Sequence, residues 1–156
     1  MRAKKSIIIV FGIIALSSLC LFAWQWILSF DAEYKIDGFD YSSAYDGTYK
    51  PLSLVSVIAV PEDCDGNLLE LTGVLNFSGQ DYRMLYLDHK SYQLKIMKNG
   101  INLHFPQEIP EENRRSLSRL DGYYVVVYGR MINSTGPMNF YSGEMVDISY
   151  IRRKVD

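Results

Sequence analysis

The chain opens on a long run without a charge. From Ser6 to Phe30 it reads SIIIVFGIIALSSLCLFAWQWILSF, with 19 apolar positions among 25. A helix rises 1.5 Å per residue, so about 20 apolar residues cross a hydrocarbon core of ~30 Å. The pattern predicts a single transmembrane helix over residues 6–30. Trp24 and Trp26 stand near its end, where amphipathic rings favour the headgroup level. Arg2, Lys4 and Lys5 precede the run, while Asp31 and Glu33 follow it. The bias of bases to one side puts residues 1–5 in the cytoplasm and everything after the span outside an inner (plasma) membrane, periplasmic or extracellular. A cleaved signal peptide is the main rival, but it has a shorter apolar region and a small-x-small site. A lipoprotein would use Cys20, where Leu19 fits the preceding small position poorly.

Beyond the span the periods change. Residues 31–51 (DAEYKIDGFDYSSAYDGTYKP) hold no sustained period and read as a linker, with tyrosines able to pack on a domain or lie near headgroups. Ser53–Ala59 predicts a short helix capped by Ser53, with Leu54, Val57 and Ile58 on one face; its β-branched content keeps a strand open. Pro61 ends it, and Asp65-Gly66 turns. Alternation then marks strands at Leu68–Phe77, Tyr82–Leu87 and Ile101–Phe105, with Ser78–Asp81 and Asn99-Gly100 as turns and Lys90–Lys98 as loop. Glu111–Leu120 predicts a helix. Pro110 suits its start, Glu111 and Glu112 its positive end, Arg119 its negative end, and Gly122 its stop. Tyr123–Met131 is apolar on both faces of a strand. Met138–Tyr141 and Met145–Ile151 complete the sheet around Gly143, before the basic tail of residues 152–156.

Three strands, a helix and two strands within so short a stretch favour a small bent sheet that hides its edges by closing. Gly73, Gly129 and Gly143 suit sharp bends. The segment SLVSVIAVPEDCDGNLLELTGVLNF, followed by LYLDHKSY, NGINLHF, LDGYYVVVYGRM and GEMVDISYI, resembles small uncharacterised bacterial OB-fold-like proteins carrying an N-terminal membrane anchor. The resemblance spans Leu52–Ile151 and departs from the pattern at Cys64, where an aromatic residue usually stands. It implies a mainly β domain over residues 52–151: a five-stranded Greek-key barrel with one helix between strands three and four. Its marks are structural glycines and apolar alternation, so it implies no residue roles.

Composition sharpens this only once it is divided. The formal net charge is −2, yet all 18 acidic residues lie beyond residue 30 with all but three of the 16 basic ones, so that part carries −5. Oligonucleotide binding, the function most often met on such barrels, draws its affinity from phosphate neutralisation and stacking. The aromatics are present in Tyr82, Tyr86, Phe105, Tyr128 and Tyr141, but the charge is of the wrong sign. Arg83, Lys90, Lys95 and Lys98 form a local basic group that reads as an anionic-ligand patch or, more simply, a solvated face.

Chemistry-bearing motifs are sparse. There is no Gly-x-Gly pair, no Cys-x-x-Cys, no His-Glu-x-x-His and no Gly-x-Ser-x-Gly. His89 and His104 are isolated; Cys64 is alone beyond the span and forms no bridge within it. Glu62, Asp63 and Asp65 lack the spacing of a calcium loop and explain themselves as a turn. No catalytic residue, cofactor or metal is therefore expected. The sequence predicts a membrane-tethered, outward-facing interaction module for a protein, peptide or glycan partner of the envelope. Tyr86, Arg83 and His104 are its candidate binding residues, on the face of strands two and three. Single-stranded nucleic acid binding by the same face is the alternative, and a protective partner of a toxin is another.

Overall fold

In the computed structural model the described residues are 32–36, 40–44, 46–78, 82–133 and 140–155. The basic end 1–5 and the predicted spanning segment 6–30 lie outside them. Among the described residues no helix is long and apolar enough to cross a membrane. One compact unit runs from Ala32 to Asp156.

Among the described residues seven strands form its sheet: β1 (Glu33–Lys35), β2 (Lys50–Leu52), β3 (Leu68–Asn76), β4 (Met84–Tyr86), β5 (Gly100–Leu103), β6 (Tyr124–Ile132) and β7 (Glu144–Arg153). Five of them close a ring. β3 runs antiparallel to β4, and β4 to β5; β5 is parallel to β7; β7 and then β6 return antiparallel to β3. This circuit, with α3 (Glu111–Leu120) between β5 and β6, is the five-stranded Greek-key barrel of the OB-fold. β1 and β2 are extra strands laid on β7 and β3.

The closed ring explains the apolar pattern. Leu69, Leu71, Leu75, Leu85, Ile101, Leu103, Val125, Val127, Met145 and Ile151 fill one interior. Leu54 and Val57 of α1 (Leu54–Ala59) join them, as do Leu117 and Leu120 of α3. α1 begins where the Ser53 side chain accepts the Ser56 N–H at 3.1 Å. The run Val125–Tyr128 of β6 is apolar because both of its faces are covered. Val126 and Tyr128 point outward, under Tyr49 and beside Tyr150. Two glycines have specific work here. Gly122 has φ +77°, the left-handed turn that stops α3. Gly73 lets β3 approach β4 closely, since a Cβ there would lie 2.6 Å from the Tyr86 carbonyl oxygen.

Four stretches differ from the sequence reading. The stretch read as a linker holds β1 and the start of β2, and Tyr34 and Tyr49 pack on the barrel. Tyr34 is buried and edge-on to Phe105 at 5.4 Å, and the Tyr49 hydroxyl lies 2.8 Å from Ser149 Oγ. The stretch read as loop over Lys90–Lys98 begins with a helix, α2 (His89–Leu94). The Asp88 carboxylate caps it by accepting the Ser91 N–H at 2.7 Å, and Lys95 closes it in the left-handed region at φ 52°. Residues 152 and 153 belong to β7 rather than to a tail, because Arg152 pairs with Glu33 and Arg153 with Val125. Finally, Phe140 and Tyr141 precede the last strand instead of forming part of it, while residues 138 and 139 lie outside the described residues.

Candidate functional site

α2 and the turn after it lie against the outside of β3 and β4. Tyr92 and Met97 pack there on Val74, Met84 and Tyr86. Lys95 fastens the segment: its Nζ donates to Asn76 Oδ1 at 3.1 Å and sits 4.1 Å from the Tyr92 ring centre. The segment thus covers the outer face of β4, part of the surface that strands two and three of such a barrel present.

Tyr86 falls under this cover. It is 2% exposed, with Tyr92 edge-on at 6.2 Å. Burial, and then the neighbouring Tyr92 hydroxyl, push its phenol above the usual tyrosine range. Arg83 goes to the other side of β4, because successive side chains alternate across a strand. Its guanidinium caps the end of the core, 5.1 Å from the Phe77 ring centre and 5.5 Å from that of Phe105. Such contacts contribute ~0.5–2 kcal/mol depending on desolvation. His104 points outward and is 48% exposed. The three candidate residues therefore do not converge on one point.

His104 belongs to a different group. The parallel pairing of β5 with β7 sets Asn102 opposite Glu144. His104 Nε2 lies 3.0 Å from Glu144 Oε2, and Asn102 Nδ2 lies 3.1 Å from the same nitrogen. The Tyr141 hydroxyl donates to the other oxygen of Glu144. That bond, then burial, then the carboxylate charge hold the Tyr141 phenol above its ordinary range, so it remains a donor at neutral pH. The Tyr141 ring packs on the Tyr86 cluster on one side. It faces Tyr82 on another, with ring centres 6.1 Å apart. Contacts thus run from Tyr92 through the Val74–Met84–Tyr86 cluster to Tyr141, Glu144 and His104. Tyr82 comes from the β3–β4 connection and Tyr141 from the β6–β7 connection, which flank this face.

The remaining candidates are structural. His89 starts α2 with its ring 4.9 Å from that of Tyr124. Asp65 accepts the Asn133 N–H at 2.8 Å and serves its turn. Cys64 is 5% exposed, and burial, then the Asp63 charge, raise its thiol. Asn102 and Glu144 escaped the sequence reading. Alternation in NGINLHF already put Asn102 beside His104, but only the ring closure brings Glu144 to them.

No protein-family model matches this chain, and no curated protein does. Among solved structures, it is similar to a provisionally assigned aspartyl-tRNA synthetase from Leishmania major Friedlin, at 10% identity and a TM-score of 0.42. The match covers 83% of this chain and 26% of that one, so this chain spans about a quarter of its length.

Proposed function

We propose that the chain is a membrane-tethered binding module. Residues 6–30 hold it in a bilayer with the N-terminal bases inside. The barrel unit, outside, takes a protein, peptide or glycan on the outer face of β5 and its two flanking connections. The observation that carries this reading is the hydrogen-bonded row His104–Glu144–Tyr141 with Tyr82 beside it. Aromatic rings next to an acceptor and a donor suit amide- or hydroxyl-rich ligands, and tyrosine is enriched where proteins meet. Binding rather than catalysis is the reading because the hydroxyl of the row donates to Glu144 instead of facing His104. A nucleophile needs the opposite arrangement.

The full chain in its membrane, with a photo-crosslinking residue at Tyr82, tests the proposal. A discrete crosslinked partner should appear, and Glu144→Gln and His104→Ala should weaken it. A partner set indifferent to both changes refutes this face. Protease added to intact spheroplasts should remove the unit; full protection refutes the outward orientation.

One observation favours a second reading. The Tyr82–Tyr141 ring pair between two connections is a geometry on which bases stack. The charge of −5 beyond residue 30 opposes it, and both Arg83 and Lys95 are already engaged with aromatic rings. Fluorescence anisotropy with labelled single-stranded DNA at low salt decides. Binding below tens of micromolar, lost with Tyr82→Ala, would replace the first reading.

A further inference from the structure

Two neighbours claim one ring nitrogen just beyond β5. Glu144 Oε2 lies 3.0 Å from His104 Nε2, and Asn102 Nδ2 lies 3.1 Å from the same atom. A carboxylate oxygen accepts and an amide nitrogen donates, so one ring nitrogen cannot answer both. Tyr141 settles the competition. Its hydroxyl proton goes to Glu144, so its oxygen is left as an acceptor, and the Asn102 side chain donates to it. Asn102 is therefore served without the imidazole. Turning its amide over would set Oδ1 against an oxygen that has no proton to give. A bond to a charged acceptor is also roughly twice as strong as a neutral one. The proton of the neutral ring thus stays on Nε2, facing Glu144.

Nδ1 is the other end of the ring. Among the described residues none bonds to it, and the His104 side chain is 48% exposed. The charged groups on the neighbouring elements are turned elsewhere. Arg83 lends its carbonyl to the Leu103 N–H, but its guanidinium lies on Phe77 and Phe105. Asp147 of β7 lines a groove with His104, yet its carboxylate holds Arg130 at 3.2 Å. Tyr141 meets the imidazole only through Glu144.

We propose that Glu144 fixes the His104 tautomer so that Nδ1 becomes the proton-dependent contact of the binding face. While the ring is neutral, Nδ1 accepts an N–H or O–H from the partner. A second proton has only Nδ1 to go to, and it turns the acceptor into a cationic donor that repels the same group. The proposal rests on the binding-module reading and adds its contact chemistry and its regulation. Histidine is the side chain whose charge ordinarily changes between about pH 5 and 8, and the bond made by one ring nitrogen sets the role of the other. Glu144 is here a positioning residue.

Two measurements test this, the first without any partner. The full chain in nanodiscs, with isotope-labelled histidine, gives ring nitrogen signals that His104→Gln assigns. At about pH 8 His104 should show a proton on Nε2 and a lone pair on Nδ1, and acidification should add the second proton at Nδ1. The Nε2 proton should be protected enough from water to be seen. Glu144→Ala should abolish that signal with an unchanged melting midpoint, and Glu144→Gln, nearer in shape, should weaken it. A neutral ring with its proton on Nδ1, or an Nε2 signal that survives Glu144→Ala, overturns the proposal. The second measurement is the photo-crosslink from Tyr82 in isolated membranes. Its yield should fall about two- to tenfold between about pH 8 and 5, the loss of one hydrogen bond, and His104→Gln should flatten that response. A yield that rises on acidification, or that falls equally in His104→Gln, overturns the proposal and leaves the binding module standing. The expected ring signals with no crosslinked partner at any pH overturn the binding module and the contact with it, leaving only the tautomer.

Discussion

Gly66 and Gly73 are glycines for different reasons, and a pair of substitutions at each separates them. Gly66 has φ +75° with nothing within 4 Å of where a Cβ would stand, so the obstacle to a side chain is the backbone conformation alone. A residue such as alanine loses ~1–2 kcal/mol in the left-handed region, whereas asparagine visits it readily. At Gly73 the obstacle is contact. A Cβ would stand 2.6 Å from the Tyr86 carbonyl oxygen, 2.8 Å from Leu85 Cγ and 3.1 Å from Leu54 Cδ2. The nearest of these is main chain of the paired strand, bound by the Val74–Tyr86 register, so it cannot rotate aside. Overpacking of this kind costs ~1–3 kcal/mol, and more as the side chain grows. The two sites should therefore rank alanine and asparagine in opposite orders: Asn above Ala at Gly66, Ala above Asn at Gly73. For a unit of this size ~1 kcal/mol moves the midpoint by about 3–5 °C. Near-UV tyrosine dichroism of the full chain in detergent follows barrel melting separately from any membrane helix. On that scale Gly73→Ala should lower the midpoint by about 3–15 °C, and Gly66→Asn by under about 2 °C. The same order at both sites, or a Gly73→Ala midpoint within about 1 °C of the parent, would refute the close approach of β3 and β4 on which the covered face depends.

Other substitutions probe what holds that face. Asp121 accepts the Phe77 N–H at 2.8 Å and the Ser78 hydroxyl at 2.7 Å, tying the end of α3 to the β3–β4 connection. Asp121→Ala leaves a half-buried donor unmatched and should cost ~1–3 kcal/mol in thermal unfolding; an unchanged midpoint removes that tie. The Asp88 carboxyl is held below its usual range by the Ser91 backbone N–H and then the Ser91 hydroxyl. Its support of α2 is therefore full above the unfolded value near ~4 and is lost as pH falls through the lower folded value. Amide exchange at Ser91 should accelerate over that window, and Asp88→Asn should flatten the response; identical pH profiles would contradict the cap. Cys64 is buried with a raised thiol, so iodoacetamide should leave its peptide unmodified at neutral pH until the unit is unfolded. Rapid native labelling of Cys64 would show that the short helical turn Pro61–Cys64 opens readily.

The barrel was legible because its elements are locally consistent. Ser53 caps one helix, Pro110 and Gly122 bracket another, and the run from Val125 to Tyr128 is apolar enough to need cover on both faces. Order along the chain then left few ways to close. What local pattern could not show was which outward faces receive that cover. Tyr34 and Tyr49 sit in a stretch with no period, yet both are taken up by the sheet. Their packing partners, Phe105 and Tyr128, lie far along the chain, so nothing in the neighbouring sequence marks them. α2 was hidden for a related reason: Lys90, Gln93 and Leu94 give it no apolar stripe, and its contacts pass through His89, Ser91 and Tyr92. The Asp88–Ser91 cap was its one local sign.

The same blindness governs the candidate site. Tyr86, Arg83 and His104 are neighbours on a sheet diagram, but alternation sends Arg83 to the core end, and α2 covers Tyr86. His104 alone stays outside, and its partner Glu144 reaches it through the parallel β5–β7 contact, a pairing that must close a long stretch of chain. Tyr86 nonetheless keeps a part in the row, as a member of the Val74–Met84–Tyr86 cluster on which Tyr141 packs. Removing its ring would loosen that cluster beneath Tyr141 and, through it, the hydrogen bond to Glu144. A Tyr86→Ala effect on binding is therefore an indirect effect of position. It should be matched by loss of the Tyr141–Glu144 contact, whereas Tyr82→Ala should weaken binding with that contact intact. The two variants consequently distinguish a residue that touches the partner from one that shapes the surface it meets.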